Sequence, residues 1–210
     1  AAAARFDGTD DFISTGSINA LGTGDFTVEF FLKLSSHTAE KCLFTQGTEN
    51  VFQWNWHNTA GGRFDIWVGG ATQSSTYATN TSDYLHLAMT RSQGVVRLFT
   101  NGAQVNTNLS ATGSIAQDIL RIGALNATQQ SVNGWIDEFR VSNTSKYNSN
   151  FVVPVTAFSN PTNPSNYEYW LFVNTDNIVT FRLSSSGTAE NITVKATSFG
   201  ALNTATWYNT

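Results

Sequence analysis

Residues 24–34 read Gly-Asp-Phe-Thr-Val-Glu-Phe-Phe-Leu-Lys-Leu, and this stretch decides the fold class. Apolar side chains recur at every second position from Phe26 to Leu34. Because successive side chains of a strand point to opposite faces, a period of two is typical of a strand with one buried face. The same period returns in residues 52–56 and 64–68, so the sequence predicts several strands of this kind.

Turn residues separate these alternating stretches. Asn101-Gly102 directly follows the apolar segment 95–100, and this dipeptide predicts a tight hairpin. No segment shows a sustained helical period. Short strands at even spacing with turn signals between them predict an all-β protein, either a sandwich or a closed barrel.

Composition excludes several classes of function. Of the 210 residues 40% are hydrophobic and only 12% are charged, and the formal net charge is −4. An acidic chain without a basic patch does not predict a nucleic-acid partner. No apolar run approaches the roughly 20 residues of a membrane span, so no membrane insertion is expected. The single cysteine, Cys42, cannot form an intrachain disulfide and is expected to be a buried filler.

Two segments bracket the N-terminal part of the chain, Arg-Phe-Asp-Gly-Thr-Asp-Asp-Phe at 5–12 and Gly-Trp-Ile-Asp-Glu-Phe-Arg-Val-Ser at 134–142. Together with residues 24–34 they resemble the first and last strands of a concanavalin A-like jelly roll of the laminin-G-like type. The resemblance covers residues 4–158. It implies a two-sheet antiparallel jelly-roll sandwich in which the first and last strands are neighbours.

The proline content divides the remaining chain. Residues 1–158 are predicted to form the laminin-G-like domain, and residues 159–168, which hold two of the three prolines, form a linker. Residues 169–210 are again strand-like. They are either a short β-rich extension packed on the first domain or the interior of a second, truncated laminin-G-like domain.

An enzymatic function is not expected. Relatives of this fold that hydrolyse β-glucans carry a Glu-x-Asp-x-x-Glu strand, because hydrolysis needs two carboxyl groups on one strand face. This sequence has no such pattern, and Glu29 stands alone in its strand.

The resemblance implies a structural calcium ion as a cofactor. Many relatives hold Ca²⁺ with a carboxylate of the last strand and with oxygens of the first strand and of a turn near the third. The matching positions here are Asp137, Asp7 or its neighbour Gly8, and Gly47. Carboxylates mixed with carbonyls suit the six to eight oxygen ligands of calcium. The alternative is that the two aspartates only cap turns and pair with nearby arginines.

The alternation also predicts a ligand-binding face. If the residues in phase with Phe26 point into the core, those of the other phase point outward and form one face. Trp67 is the unusual member, because a large ring stands where a polar residue is expected. Eight outward side chains are predicted to bind the ligand: Glu29, Phe31, Asn55, His57, Asp65, Trp67, His86 and Arg97. The ligand is a glycan or a neighbouring protein subunit, unless the chain itself covers this face.

The bracketing segments most resemble laminin-G-like domains of bacteriophage virion proteins and bacterial adhesins. The expected function is therefore a non-catalytic carbohydrate- or surface-binding module, acting in host attachment or capsid decoration. The expected setting is extracellular, on a tail fibre, virion or bacterial surface, within a larger homo-oligomeric assembly. Two alternatives remain, a binding module of a secreted glycan-degrading enzyme and a purely structural shell or filament subunit.

Overall fold

A computed structural model describes residues 3–35, 38–58, 62–77, 82–155, 168–173, 179–185 and 188–194. These residues form strands and turns, without a helix among them. In chain order the strands are β1 (Ala4–Asp7), β2 (Ile13–Ile18), β3 (Phe26–Leu34), β4 (Lys41–Gln46), β5 (Phe52–His57), β6 (Arg63–Val68), β7 (Ala71–Thr76), β8 (Leu85–Ser92), β9 (Val95–Thr100), β10 (Ala103–Gln104), β11 (Leu109–Ser110), β12 (Asp118–Ile122), β13 (Asn133–Ser142), β14 (Glu168–Val173), β15 (Val179–Ser185) and β16 (Thr188–Val194).

The strands form two antiparallel sheets. The large sheet has the order β10-β9-β8-β3-β13-β14-β15-β16, with β1 also paired to β13 and β11 to β9. The small sheet has the order β2-β12-β4-β5-β6-β7. The expected jelly-roll sandwich is therefore confirmed.

The first and last strands of the predicted domain are neighbours. β1 runs antiparallel to β13, with Phe6 opposite Gly134 and Asp7 opposite Asn133. The other edge of β13 pairs with β3. This pairing brings the two bracketing segments of the sequence together, as their resemblance to end strands implied.

The predicted hairpin at Asn101-Gly102 is also confirmed. β9 turns directly into β10, where Ala103 lies opposite Thr100. Asn101 has φ of 49° and Gly102 has φ of 80°. Two successive positive φ angles match the right-handed twist of the flanking strands, which is why Asn-Gly is favoured in such turns.

Strand β14 extends the large sheet beyond the laminin-G-like segment. It pairs with residues 139–142 of β13, whereas β1 pairs with residues 133–136 of the same edge. Between these two stretches, at residues 137–140, the register of β13 against β3 shifts, and Glu138 has φ of 50°. Residues 156–167 and 195–210 lie outside the described residues, so the domain boundaries at 158 and 168 stay a prediction.

The inward side chains of the two sheets form one apolar core. Phe30 of β3 contacts Trp54 of β5 edge to face, with ring centroids 5.6 Å apart, and stacks on Phe139 of β13 at 5.3 Å. Trp54 and Trp56 are fully buried, as their phase along the strand predicted. Cys42 is also fully buried, and burial raises the pKa of its thiol well above the usual value.

Arg91 joins several turns at one end of the sandwich. It is fully buried, and its guanidinium donates hydrogen bonds to three backbone carbonyls. Nε reaches Gly24 O at 2.7 Å, Nη2 reaches Gly22 O at 2.7 Å and Nη1 reaches Gly113 O at 2.8 Å. The cation also lies 5.0 Å from the centroid of the Phe26 ring. One side chain thus connects the turn before β3 with the turn before β12.

We expect Arg91→Met to destabilise the domain by about 3 kcal/mol, because three backbone carbonyls lose a charged hydrogen-bond donor while the side-chain volume is nearly unchanged. Chemical unfolding of both proteins measures the difference. Arg97→Met is the control, since Arg97 is a half-buried arginine on the next strand. Equal losses in the two variants would show that the carbonyl contacts of Arg91 add nothing.

Candidate functional site

The eight predicted ligand residues do not share one face, and this part of the prediction is wrong. Asn55, His57, Asp65 and Trp67 lie on β5 and β6 of the small sheet. Glu29, Phe31, His86 and Arg97 lie on β3, β8 and β9 of the large sheet. The core lies between the sheets, so the two groups point away from the sandwich on opposite sides. Alternation defines the two faces of a strand but does not indicate which sheet the strand joins.

On the large sheet Glu29 is the centre of a buried ionic cluster. Its Oε1 accepts hydrogen bonds from Nε of Arg140, at 3.0 Å, and from Nη2 of the same residue. Its Oε2 lies 3.2 Å from Nε2 of His86 and accepts a hydrogen bond from the Tyr147 hydroxyl at 2.9 Å. Burial alone raises the pKa of Glu29, but the His86 hydrogen bond and the Arg140 cation outweigh it and hold the pKa below its ordinary value.

Residues 143–155, which we call the cover segment, close this part of the large sheet. The Thr27 hydroxyl donates to Thr144 O at 2.8 Å, and the Thr90 hydroxyl donates to Tyr147 O at 2.8 Å. The Tyr147 ring stacks on Phe151 with centroids 3.6 Å apart and an interplanar angle of 7°. The segment therefore runs across the outer face of β3 and β8.

The prediction that the large-sheet residues face a ligand is wrong, because the cover segment lies over them. Glu29 and His86 are buried, with relative exposures of 0% and 1%. Phe31 and Arg97 are half-buried, and the centroids of the Phe31 and His86 rings are 5.0 Å apart. The polar residues on the outer face of these strands bind other parts of the same chain, because Arg140 and the cover segment supply their hydrogen-bond partners.

Glu29→Gln is expected to destabilise the domain by about 3–5 kcal/mol at neutral pH, because it leaves the Arg140 cation buried without its carboxylate. The Glu29 pKa is lowered on folding from 4.5. Its contribution is therefore complete above that value and is lost as the pH falls through the lower folded pKa.

Unfolding free energies measured between about pH 6 and pH 3 should therefore fall more steeply for the native protein than for Glu29→Gln. Glu138→Gln serves as the control, since Glu138 is a half-buried glutamate on the adjacent strand. Parallel pH profiles for the native protein and Glu29→Gln would contradict the role given to this ion pair.

The small-sheet group does come together. Asn55 accepts a hydrogen bond from Nε2 of Gln53 at 2.8 Å. Its Nδ2 donates to Oε1 of Glu40 at 2.6 Å and to Oε1 of Gln130 at 3.2 Å. Glu40 precedes β4 and Gln130 precedes β13, so two loops reach over the strand. The sequence prediction did not include these two residues, because no local pattern shows that their loops reach β5.

Asp65 continues the network on the adjacent strand. Its Oδ2 accepts two hydrogen bonds from Arg63, at 3.0 and 2.9 Å, and lies 2.8 Å from Nε2 of His57. The same His57 nitrogen lies 3.0 Å from Oε1 of Glu40. Asp65 is only 5% exposed, and its Oδ1 is buried without a hydrogen-bond partner among the described residues. A buried carboxylate oxygen of this kind has remaining capacity to accept a hydrogen bond.

Trp67 lies two residues further along the same strand. It is half-buried on the outer face, opposite Gln53 of β5 and Thr72 of β7. Its in-strand neighbours Ile66 and Val68 are fully buried in the core, as the alternation predicted. We call the outer-face group of Gln53, Asn55, His57, Asp65 and Trp67, with Glu40 and Gln130 above it, the small-sheet site. It combines a half-buried indole with amide and carboxylate groups that hold one another in place, of which Gln53, Asn55 and Asp65 are themselves buried.

The three residues expected to bind calcium lie apart, which corrects the predicted ligand set. Asp7 lies opposite Asn133, four residues along β13 from Asp137, which corresponds to about 13 Å in a strand. Gly47 follows β4 on the small sheet, where a Cβ would lie 2.7 Å from Oδ2 of Asp118. The end motifs resemble those of calcium-binding relatives, but the two aspartates occupy opposite ends of the β1–β13 pair.

A different acidic cluster includes Asp7. One carboxylate oxygen each of Asp7, Asp10 and Asp11 lie within 4.8 Å of one another. Oδ1 of Asp7 accepts the amide hydrogen of Thr9 at 2.8 Å, and Oδ2 of Asp11 accepts that of Asp7 at 2.9 Å. The carboxylates thus order the turn after β1. Oxygen donors of this type also fit the chemistry of calcium.

These features define a class of protein. Two antiparallel sheets with adjacent end strands and an outer-face tryptophan beside amide and carboxylate groups describe a lectin-like β-sandwich domain. The chain belongs to the concanavalin A-like lectin/glucanases superfamily, whose laminin G-type family model matches residues 7–150. Among the described residues we find no helix suited to crossing a membrane.

Solved structures support the fold alone. A heptameric SAP-like pentraxin from Limulus polyphemus is 15% identical with a TM-score of 0.54, over 68% of this chain and 76% of its own. A Bacteroides ovatus protein, whose proposed function is carbohydrate binding, is 14% identical with a TM-score of 0.58. That match covers 90% of this chain but only 58% of the Bacteroides protein. No curated protein sequence matches this chain.

Proposed function

We propose that this protein is a non-catalytic carbohydrate-binding module that binds a glycan at the small-sheet site. The half-buried Trp67 ring on the outer face carries this proposal. An indole on a water-facing surface gains little from folding, whereas it can stack on the C–H face of a sugar ring. The sequence prediction for Trp67, Asp65, His57 and Asn55 is retained here as part of the proposal.

The polar neighbours of Trp67 supply groups that bind hydroxyls. Gln53 and Asn55 are buried and hydrogen-bonded to each other, so they support the site from beneath, whereas Glu40 and Arg63 reach its surface and can meet a sugar hydroxyl. Asp65 is buried beside Gln53 and Asn55, and its carboxylate orients the Arg63 and His57 side chains. A stacking ring combined with a few oriented polar groups is the usual composition of a small-molecule site.

The absence of catalysis is part of the proposal. Glu29, which stands alone in its strand, is buried against Arg140 and Tyr147. Its lowered pKa keeps it ionised, so it is a poor proton donor at neutral pH. The Glu29 carboxylate therefore stabilises the sheet and is not accessible to a substrate.

The biological setting we propose is an extracellular surface assembly, either a bacteriophage tail fibre or capsid decoration or a bacterial adhesin. The similarity of residues 5–12 and 134–142 to such proteins supports this setting. The alternatives are an accessory module of a secreted glycan-degrading enzyme and a structural subunit of a shell or filament. The complete gene distinguishes them, because a neighbouring hydrolase domain indicates the first alternative and many tandem copies indicate the second.

We expect Trp67→Ala to weaken glycan binding at least tenfold, or about 1.4 kcal/mol, while the melting temperature changes little. A glycan array identifies the best glycan, and calorimetric titration then compares the two proteins. Val152→Ala is the control, because Val152 is an apolar residue that is 92% exposed and lies in the cover segment. Undiminished affinity in Trp67→Ala, or an array without any bound glycan, would remove the proposal.

We also propose that calcium binds the cluster of Asp7, Asp10 and Asp11, in place of the set predicted from the sequence. Calcium chloride should then raise the melting temperature, because a ligand that binds only the folded state stabilises it. Asp10→Asn should abolish this increase, whereas Asp83→Asn, which changes an exposed aspartate before β8, should not. An equal response of all three proteins would indicate that calcium does not bind at this turn.

A further inference from the structure

A row of four side chains crosses the outer face of the large sheet and takes no part in the small-sheet site. Arg5 of β1 lies opposite Trp135 of β13, and Trp135 lies opposite Lys33 of β3. Tyr84 precedes β8 and lies next to Lys33, because Leu85 is opposite Leu32. We call Arg5, Trp135, Lys33 and Tyr84 the cation–aromatic row.

Cations and aromatic rings alternate along this row and contact one another. The Arg5 guanidinium lies 6.0 Å from the centroid of the Trp135 ring. The Lys33 ammonium lies 5.7 Å from the Trp135 ring and 5.9 Å from the Tyr84 ring. Contacts of this kind hold each cation in place but leave its N–H groups free for an anion, since a ring accepts no more than a weak hydrogen bond.

The row is accessible, in contrast to the buried residues Thr27, Glu29 and His86 of the same face. Arg5 is exposed, Tyr84 is 42% exposed, and Lys33 and Trp135 are half-buried. Among the residues within 3–155 whose side chains the structure describes, Tyr84 is the only exposed large aromatic residue. The contacts of the cover segment are with Thr27, Glu29 and their neighbours, further along β3.

Charge indicates the kind of partner. The chain has a formal net charge of −4, yet the row brings two cations to one strip of the surface. One acid lies beside the row, because Asp137 stands two residues from Trp135 on β13, and after burial it is the second cause of the raised pKa of Tyr84. The two cations of the row outnumber this one acid.

We propose that the cation–aromatic row binds an acidic polysaccharide, with its carboxylate or sulfate groups on Arg5 and Lys33 and its sugar rings against Trp135 and Tyr84. Neighbouring strands are about 4.8 Å apart, so the two cations are separated by about 10 Å and the row is about 14 Å long. A flat strip of this length suits an extended chain that carries repeated anions, because neither a groove nor a deep pocket is needed.

The rings favour a sugar over an acidic peptide. A polyanion bound by charge alone needs only exposed cations, whereas Trp135 and Tyr84 offer apolar area to the C–H groups of pyranose rings. A neutral glycan can accept hydrogen bonds from the two cations but gains no charge attraction from them. The row therefore predicts a ligand in which anions and sugar rings alternate.

The test uses the complete 210-residue chain and four polymers. Hyaluronan carries carboxylates, dextran sulfate carries sulfates, dextran is the neutral sugar, and poly-L-glutamate is an anion without sugar rings. We expect binding to hyaluronan, dextran sulfate or both, and at least tenfold weaker binding to dextran and poly-L-glutamate. The two acidic sugars identify which anion the row prefers. Binding should weaken with added salt, because the charges lie at the surface.

The variants locate the binding surface. Arg5→Gln combined with Lys33→Gln, and separately Tyr84→Ala, should each reduce binding of the preferred acidic sugar at least tenfold. Lys146→Gln is the matched charge control, because Lys146 is exposed on the cover segment, whose backbone contacts Thr27, and residues 27 and 33 of β3 are about 20 Å apart. Melting temperatures confirm that each variant is folded.

Several results would overturn this inference. Equal binding of poly-L-glutamate would indicate an acidic peptide, and equal binding of dextran would indicate a neutral sugar. Failure of both acidic sugars to bind, or an unchanged affinity in the Arg5/Lys33 variant, would exclude the row as their site. None of these results depends on the small-sheet site, which lies on the other sheet and is tested by Trp67→Ala.

Discussion

Aromatic contacts between the two sheets are the interaction on which the rest of the structure depends. Phe30 and Phe139 of the large sheet stack on each other and meet Trp54 and Phe44 of the small sheet edge to face. Large rings bury much apolar area, and their preferred geometries fix the spacing of the sheets. Once these side chains point inward, the alternate residues of the same strands must point outward. Both candidate binding surfaces are therefore consequences of the core.

The outer faces of the two sheets are covered to different extents, although their strands have the same alternation of apolar and polar residues. On the large sheet the cover segment supplies Tyr147 to Glu29 and completes a buried ionic cluster. On the small sheet the loops bring only Glu40 and Gln130 to Asn55, and Trp67 stays partly accessible. A polar residue on an outer face thus becomes structural or available according to what the rest of the chain places over it. Fold membership alone does not decide which of these occurs.

Several features of the fold follow from local sequence patterns. The period of two around Phe26 predicts a strand and its buried face, and Asn101-Gly102 predicts a hairpin, because each depends on neighbouring residues only. The burial of Trp54 and the outward position of Trp67 follow from the same alternation. The resemblance of the two bracketing segments to end strands also correctly implied the pairing of β1 with β13.

The sequence by itself therefore determined the fold class, the core residues and the face of each strand on which a side chain lies. Only the tertiary structure decided which outward residues share a surface, because sheet membership depends on pairing between distant strands. It separated Asp65 from His86, placed Asp7 away from Asp137, and aligned Arg5 with Lys33 across β13. These relations join residues far apart in the chain, and a pattern confined to one segment holds no information about them.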